Sequence, residues 1–135
     1  MEGEGLTGGT ETLLIVDDEE MLVELLRRMV TRQGYSAIVA YGAEEALRLY
    51  DASRDEVDLV ITDLVMPGMD GKALAEELLH RYPDVCILVS TGYSAAGDIA
   101  ALLEAGVRGV VMKPYQSDQL FASIRQALDT RLKTE

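Results

Sequence analysis

Cysteine is almost missing from this chain. Cys86 stands alone among 135 residues, which excludes an internal disulfide, and its place in an apolar run makes it a small buried hydrophobe. Aromatic residues are also scarce, 5% against 48% hydrophobic residues overall, so the core must be aliphatic. No apolar run comes near the roughly 18–20 residues that a membrane span needs. The opening Met1-Glu2-Gly3-Glu4-Gly5 lacks the basic and apolar regions of a secretion signal. Both absences predict a cytoplasmic location and no membrane contact by this domain. Positive charge is short as well: 12 Lys and Arg face 24 Asp and Glu, a net charge of −12, which argues against binding nucleic acid through this domain. No Gly-x-x-x-x-Gly-Lys loop is present, so nucleotide hydrolysis has no support. There is no internal repeat and no low-complexity tract.

What the chain does have is alternation. Short apolar runs at Leu13–Val16, Ala37–Ala40, Leu59–Thr62, Cys86–Ser90 and Val107–Met112 read as strands. Helical periods lie between and after them. Leu22, Leu25, Leu26, Met29 and Val30 mark the first helix, with Glu19 and Glu20 in its first turn and Gly34 as its stop. Ala43, Ala46, Leu47 and Tyr50 mark the second. Leu74, Leu78 and Leu79 mark the third, with Asp70 as its cap and Pro83 beyond its end. Ile99, Leu102 and Leu103 mark the fourth, stopped by Gly106, and Leu120, Ile124 and Leu128 mark the fifth. Fully apolar strands alternating with helices predict a doubly wound α/β fold, a parallel sheet covered on both faces. The glycine-rich residues 1–11 read as a linker, 12–132 as one domain and 133–135 as a polar tail, with no output domain expected in this chain.

In an open parallel sheet, ligands bind beyond the carboxyl ends of the strands. Asp17 and Asp18 follow the first strand, Asp63 the third, Thr91 the fourth and Lys113 the fifth, so all five meet at one edge. Crowded carboxylates repel, and at least one should have a raised pKa in the absence of metal. A magnesium ion relieves that conflict and takes oxygen ligands. Lysine adds a mobile cation, threonine a hydroxyl donor, and a carboxylate can act as nucleophile towards phosphorus. The set predicts a site for Mg²⁺ and a phosphoryl group. His80 reads as solvated, and Met66 and Met69 as loop packing.

The segments Ile15-Val16-Asp17-Asp18-Glu19, Ile61-Thr62-Asp63-Leu64-Val65-Met66-Pro67-Gly68-Met69-Asp70-Gly71, Val89-Ser90-Thr91-Gly92-Tyr93 and Met112-Lys113-Pro114 together resemble the receiver domain of bacterial two-component response regulators. The resemblance spans about residues 12–132. It implies a flavodoxin-like five-stranded parallel sheet of order 2-1-3-4-5 with five helices. It also implies roles: Asp63 as phosphoacceptor; Asp18 and Asp63 as direct metal ligands, with Asp17 acting directly or through water; the Val65 backbone carbonyl as a further ligand; Thr91 as switch hydroxyl; Lys113 as the phosphate-pairing lysine, with a cis bond to Pro114. Ser90 is the weaker switch candidate, because the residue directly before Gly92 matches the motif.

The implied partner is a phosphohistidine on a sensor histidine kinase or a histidine phosphotransfer domain. The implied activity is self-phosphorylation and dephosphorylation rather than turnover of a substrate. One position departs from the pattern: Val110 stands where family members usually carry an aromatic switch residue. Gly92-Tyr93-Ser94 and the Gly-Gly-Thr-Glu-Thr lead-in look most like receivers at the C-terminus of hybrid histidine kinases. Two rivals remain. A phosphorylation-independent interaction module is disfavoured by the intact set of five. A phosphatase using aspartyl phosphate would carry an acid two residues after its nucleophile, where this chain has Val65.

Overall fold

A computed structural model describes residues 8–64, 70–92 and 96–132. Five strands and five helices alternate: β1 (Thr12–Val16), α1 (Glu20–Arg32), β2 (Ser36–Ala40), α2 (Ala43–Ser53), β3 (Leu59–Asp63), α3 (Gly71–Arg81), β4 (Ile87–Thr91), α4 (Ala96–Ala105), β5 (Gly109–Met112) and α5 (Ser117–Leu132). All strand pairs are parallel and the sheet order is β2-β1-β3-β4-β5, as expected. No helix among the described residues is long and apolar enough to cross a membrane.

The apolar strands are explained by two cores. Side chains alternate across a strand, so Leu13, Ile15, Leu59, Ile61 and Leu88 pack under α1 and α5 with Val23, Leu26, Leu120 and Ile124. Their neighbours Leu14, Val16, Val60, Ile87 and Val89 pack under α2, α3 and α4 with Ala46, Leu74, Leu78 and Leu102. Strands β3 and β4 carry no polar residue before their last two positions, Thr62-Asp63 in β3 and Ser90-Thr91 in β4, which puts the polar side chains at the carboxyl edge.

Several strand limits differ from expectation: β1 and β2 start one residue earlier, at Thr12 and Ser36, and β4 one residue later, at Ile87. Asp63 and Thr91 are the last residues of β3 and β4 instead of following them, because the ladder continues: Asp63 pairs with Ser90 and Thr91 with Met112. Strand β5 starts at Gly109, later than Val107. The Val107 N–H is occupied in closing α4, donating to the Leu102 carbonyl at 3.0 Å behind Gly106, whose φ of 124° suits the left-handed turn that ends a helix. Gly34 ends α1 in the same way, with the Tyr35 N–H donating back to Val30 at 3.2 Å.

Within the stretch 1–11, expected as a linker, residues 8–11 pack against the domain. The Gly9 N–H donates to the Gln33 carbonyl at 3.1 Å. Arg125 of α5 donates to the Gly8 carbonyl at 3.2 Å and to both Glu11 oxygens at 3.2 and 2.7 Å.

Helix α1 buries Val23, Leu26 and Val30. Its apolar surface is wider than that stripe: Met21 and Leu25 are 87% and 49% exposed, while Leu22 is half-buried. Neither α2 nor α5 covers the excess.

Candidate functional site

Five side chains from four strand ends meet at the carboxyl edge. Asp17 directly follows β1 and is only 3% exposed. One of its oxygens accepts the Glu19 N–H at 3.0 Å at the start of α1, and the other accepts from Lys113 Nζ at 2.9 Å. Asp63 closes β3, 8% exposed, with its Oδ1 3.2 Å from the same ammonium. Asp18 is exposed at the mouth. The three carboxylates each offer an oxygen within 4.8 Å of the others. Thr91 closes β4, 1% exposed, and its carbonyl accepts the Lys113 backbone N–H at 2.9 Å. The Lys113–Pro114 peptide bond is cis.

The backbone around Asp63 is tightly held. The Leu64 N–H donates to the Ser90 carbonyl at 2.9 Å, and the Gly71 N–H returns to the Leu64 carbonyl at 3.0 Å. A side chain on Gly71 would put its Cβ 1.7 Å from the Asp63 carbonyl oxygen, so only glycine lets α3 start this close to the acid. Asp70 caps α3 by accepting the Ala73 N–H at 2.9 Å, as its sequence position predicts. Val65, Met66, Pro67, Gly68, Met69 and Tyr93 lie outside the described residues.

Electrostatics follow from this crowding. Burial pushes the Asp63 carboxyl above its ordinary pKa, and the Asp17 charge pushes the same way against the opposing pull of Lys113. Burial draws Lys113 down, but its hydrogen bond to Asp17 and the charges of Asp17 and Asp63 outweigh that, for a net rise. The ammonium is therefore the standing countercharge of the acid pair. The donor set fits a hard divalent cation: three carboxylates, oxygen donors only, one of them solvent-facing and able to share the ion with water. A cavity of about 320 Å³ lies at the opposite edge of the sheet, lined by Tyr50, Arg54, Leu59, Tyr82 and Cys86, remote from these acids.

One residue at the site, Tyr115, escapes the motif reading. Tyr115 donates to Ser90 Oγ at 3.1 Å, and Ser90 is the register partner of Asp63. The only signal in the chain was an aromatic residue two places after Lys113, in an otherwise polar stretch. Val110 is half-buried on β5, on the opposite face from buried Val111.

Comparison with known proteins agrees with this fold. Residues 13–125 match the family described as the response regulator receiver domain. Over 117 residues, or 87% of the chain, it is 37% identical to the transcriptional regulatory protein GlrR of Escherichia coli (strain K12), although the match takes in 26% of that protein's length. It is 34% identical over 122 residues to the sensor kinase CckA of Brucella abortus (strain 2308), covering 90% of this chain and 13% of that protein. The chain thus spans between 13% and 50% of the length of the curated relatives it matches. Among solved structures, the signal receiver domain of an HD domain-containing protein from Pseudomonas fluorescens Pf-5 superposes with a TM-score of 0.83 at 31% identity, covering 93% of this chain and 99% of that one. A receiver domain protein from Clostridium thermocellum shares the fold, with a TM-score of 0.88 at 22% identity over 93% of this chain and 99% of that one. With the strand order, the acid cluster and the family match in agreement, the chain belongs to the response regulator receiver domains of two-component signal transduction.

Proposed function

We propose that this domain accepts a phosphoryl group on Asp63 from a phosphohistidine of a sensor histidine kinase or histidine phosphotransfer domain. The observation that carries this reading is the Lys113 ammonium, 2.9 Å from Asp17 and 3.2 Å from Asp63, beside three carboxylates that converge within 4.8 Å. An Asp63 oxygen attacks phosphorus, the P–N bond breaks, its electron pair stays on the imidazole of the donor, and an acyl phosphate forms. Asp17, Asp18 and Asp63 would hold Mg²⁺, which when bound supplies positive charge to the transferring group. The Val65 carbonyl, as a further ligand, rests on the family resemblance alone.

Lys113 pairs with the phosphoryl oxygens once Asp63 carries them, leaving Asp17 to the cation. Thr91 donates its hydroxyl to the same group and so couples it to β4. Val110 lacks the ring whose reorientation would spread that change across α4 and β5, so the output acts through other groups. The domain turns over no separate substrate and works in the cytoplasm as part of a larger signalling protein, such as a hybrid sensor histidine kinase.

Incubation with acetyl phosphate and Mg²⁺, followed by mass spectrometry after trapping, should place one phosphoryl group on Asp63. Equal labelling of Asp63→Asn would remove Asp63 from the role.

A further inference from the structure

Lys113 can serve the site only if its loop keeps the ammonium between Asp17 and Asp63. That loop runs from Met112, the end of β5, to Ser117, the start of α5. Two consecutive residues of β4 hold it. The Thr91 carbonyl takes the Lys113 N–H at 2.9 Å, and Ser90 Oγ takes the Tyr115 hydroxyl at 3.1 Å. Ser90 also binds the acceptor side: it is the register partner of Asp63, and its carbonyl takes the Leu64 N–H at 2.9 Å. One residue, 1% exposed, therefore joins the strand that carries Asp63 to the loop that carries Lys113.

The Tyr115 ring packs on the α1/α5 core, a task phenylalanine would perform equally well. Its hydroxyl is thus the part with a separate purpose. Burial holds that phenol above its ordinary pKa, so it remains a donor throughout the physiological range.

We propose that Tyr115 is a positioning residue for Lys113, its hydroxyl tying the lysine loop to Ser90 beside Asp63. The inference rests on the phosphoacceptor reading for its kinetic consequence but not for its structural one.

The test uses Tyr115→Phe, which retains the ring, with two readouts. Labelling of Asp63 by acetyl phosphate and Mg²⁺ should slow about fivefold, the factor one net hydrogen bond carries. Hydrogen exchange at the Lys113 amide should quicken by a similar factor. Ser90→Ala should reproduce both effects, and the double variant should add little. A Lys113→Ala background separates positioning from general loosening: there Tyr115→Phe should change the residual labelling rate by less than about 1.5-fold. An equal slowing with and without Lys113 would overturn the proposal, as would unchanged labelling together with unchanged exchange. If wild-type protein takes no label yet Tyr115→Phe still frees the Lys113 amide, the phosphoacceptor reading falls and the tie between Tyr115 and the lysine loop stands.

Discussion

Lys113 donates to Asp17 Oδ2 at 2.9 Å across 96 positions of sequence. The bond shows how the acid edge is balanced without metal: a single ammonium, also 3.2 Å from Asp63, serves two buried carboxylates, while Asp18 faces solvent. One cation for three acids leaves net negative charge at the site, and a divalent ion removes it.

Mg²⁺ should therefore stabilise the domain. At about ten times its Kd, linkage predicts about 1.4 kcal/mol, a rise of about 3–5 °C in melting temperature for a chain of this size. Calorimetry with MgCl₂ against NaCl of equal ionic strength measures it. Asp18→Asn should shrink the rise. A wild-type domain that melts at the same temperature in both salts would rule out the cation site.

Asp63 gives the metal-free domain an unusual pH dependence. Its carboxyl is raised in the fold, by burial first and by Asp17 second. A raised carboxyl binds its proton more tightly in the folded than in the unfolded chain. Its stabilising contribution is present below the unfolded pKa and is lost as pH rises through the folded one. Asp63→Asn, which has no charge to desolvate, should thus melt about 3–5 °C above wild type at pH 7 in EDTA, with the gap closing towards pH 4. Equal gaps at both pH values would show that the Asp63 charge is not strained.

Glu11 has the opposite sign. The Arg125 guanidinium, bonded to both of its oxygens at 3.2 and 2.7 Å, holds its carboxyl below the ordinary range, against the opposing effect of burial. A lowered carboxyl contributes stability above its unfolded pKa and loses it as pH falls through the folded value. Glu11→Gln should cost about 1 kcal/mol in urea melts at pH 7 and almost nothing at pH 3. A loss that persists unchanged at pH 3 would mean that packing of the lead-in residues matters, not the ion pair.

These cases mark where the sequence can be read and where it cannot. The five apolar runs are legible because a parallel sheet covered on both faces excludes polar residues from whole strands. The same exclusion makes Asp17, Asp63, Thr91 and Lys113 conspicuous at the strand ends. Strand limits are less legible: whether Asp63 closes β3 or follows it depends on the ladder partner Ser90, which local pattern does not contain. Docking of Gly8–Glu11 depends on Arg125, more than a hundred positions away, and on a bare glycine backbone passing close to Gln33. The hydroxyl of Tyr115 is unreadable for the same reason, since its acceptor lies on another strand. Leu22 and Leu25 both belong to the apolar period of the first helix, but with Val23 and Leu26 facing the core Leu22 is half-buried and Leu25 turns outward beside Met21.

Those two residues set the last expectation. Met21 and Leu25 are one turn apart on the same face of α1, 87% and 49% exposed. The helix begins two residues after Asp18, so this apolar strip flanks the acid edge. An apolar strip beside a reaction centre suits the apolar face of a partner helix, and a helix carrying a phosphohistidine could rest there with its imidazole directed at Asp63. Leu25→Glu changes an exposed position and should alter stability by no more than about 0.5 kcal/mol. It should slow phosphoryl transfer from a phosphohistidine protein about tenfold, the effect of losing one interfacial anchor. Labelling by acetyl phosphate, which needs no docking surface, should stay within about a factor of two of wild type, since the substitution spares the transition-state contacts. Paired rate measurements with the two donors decide the matter. A fall in both rates would mean that Leu25 supports the site itself, and a fall in neither would place the partner on another face.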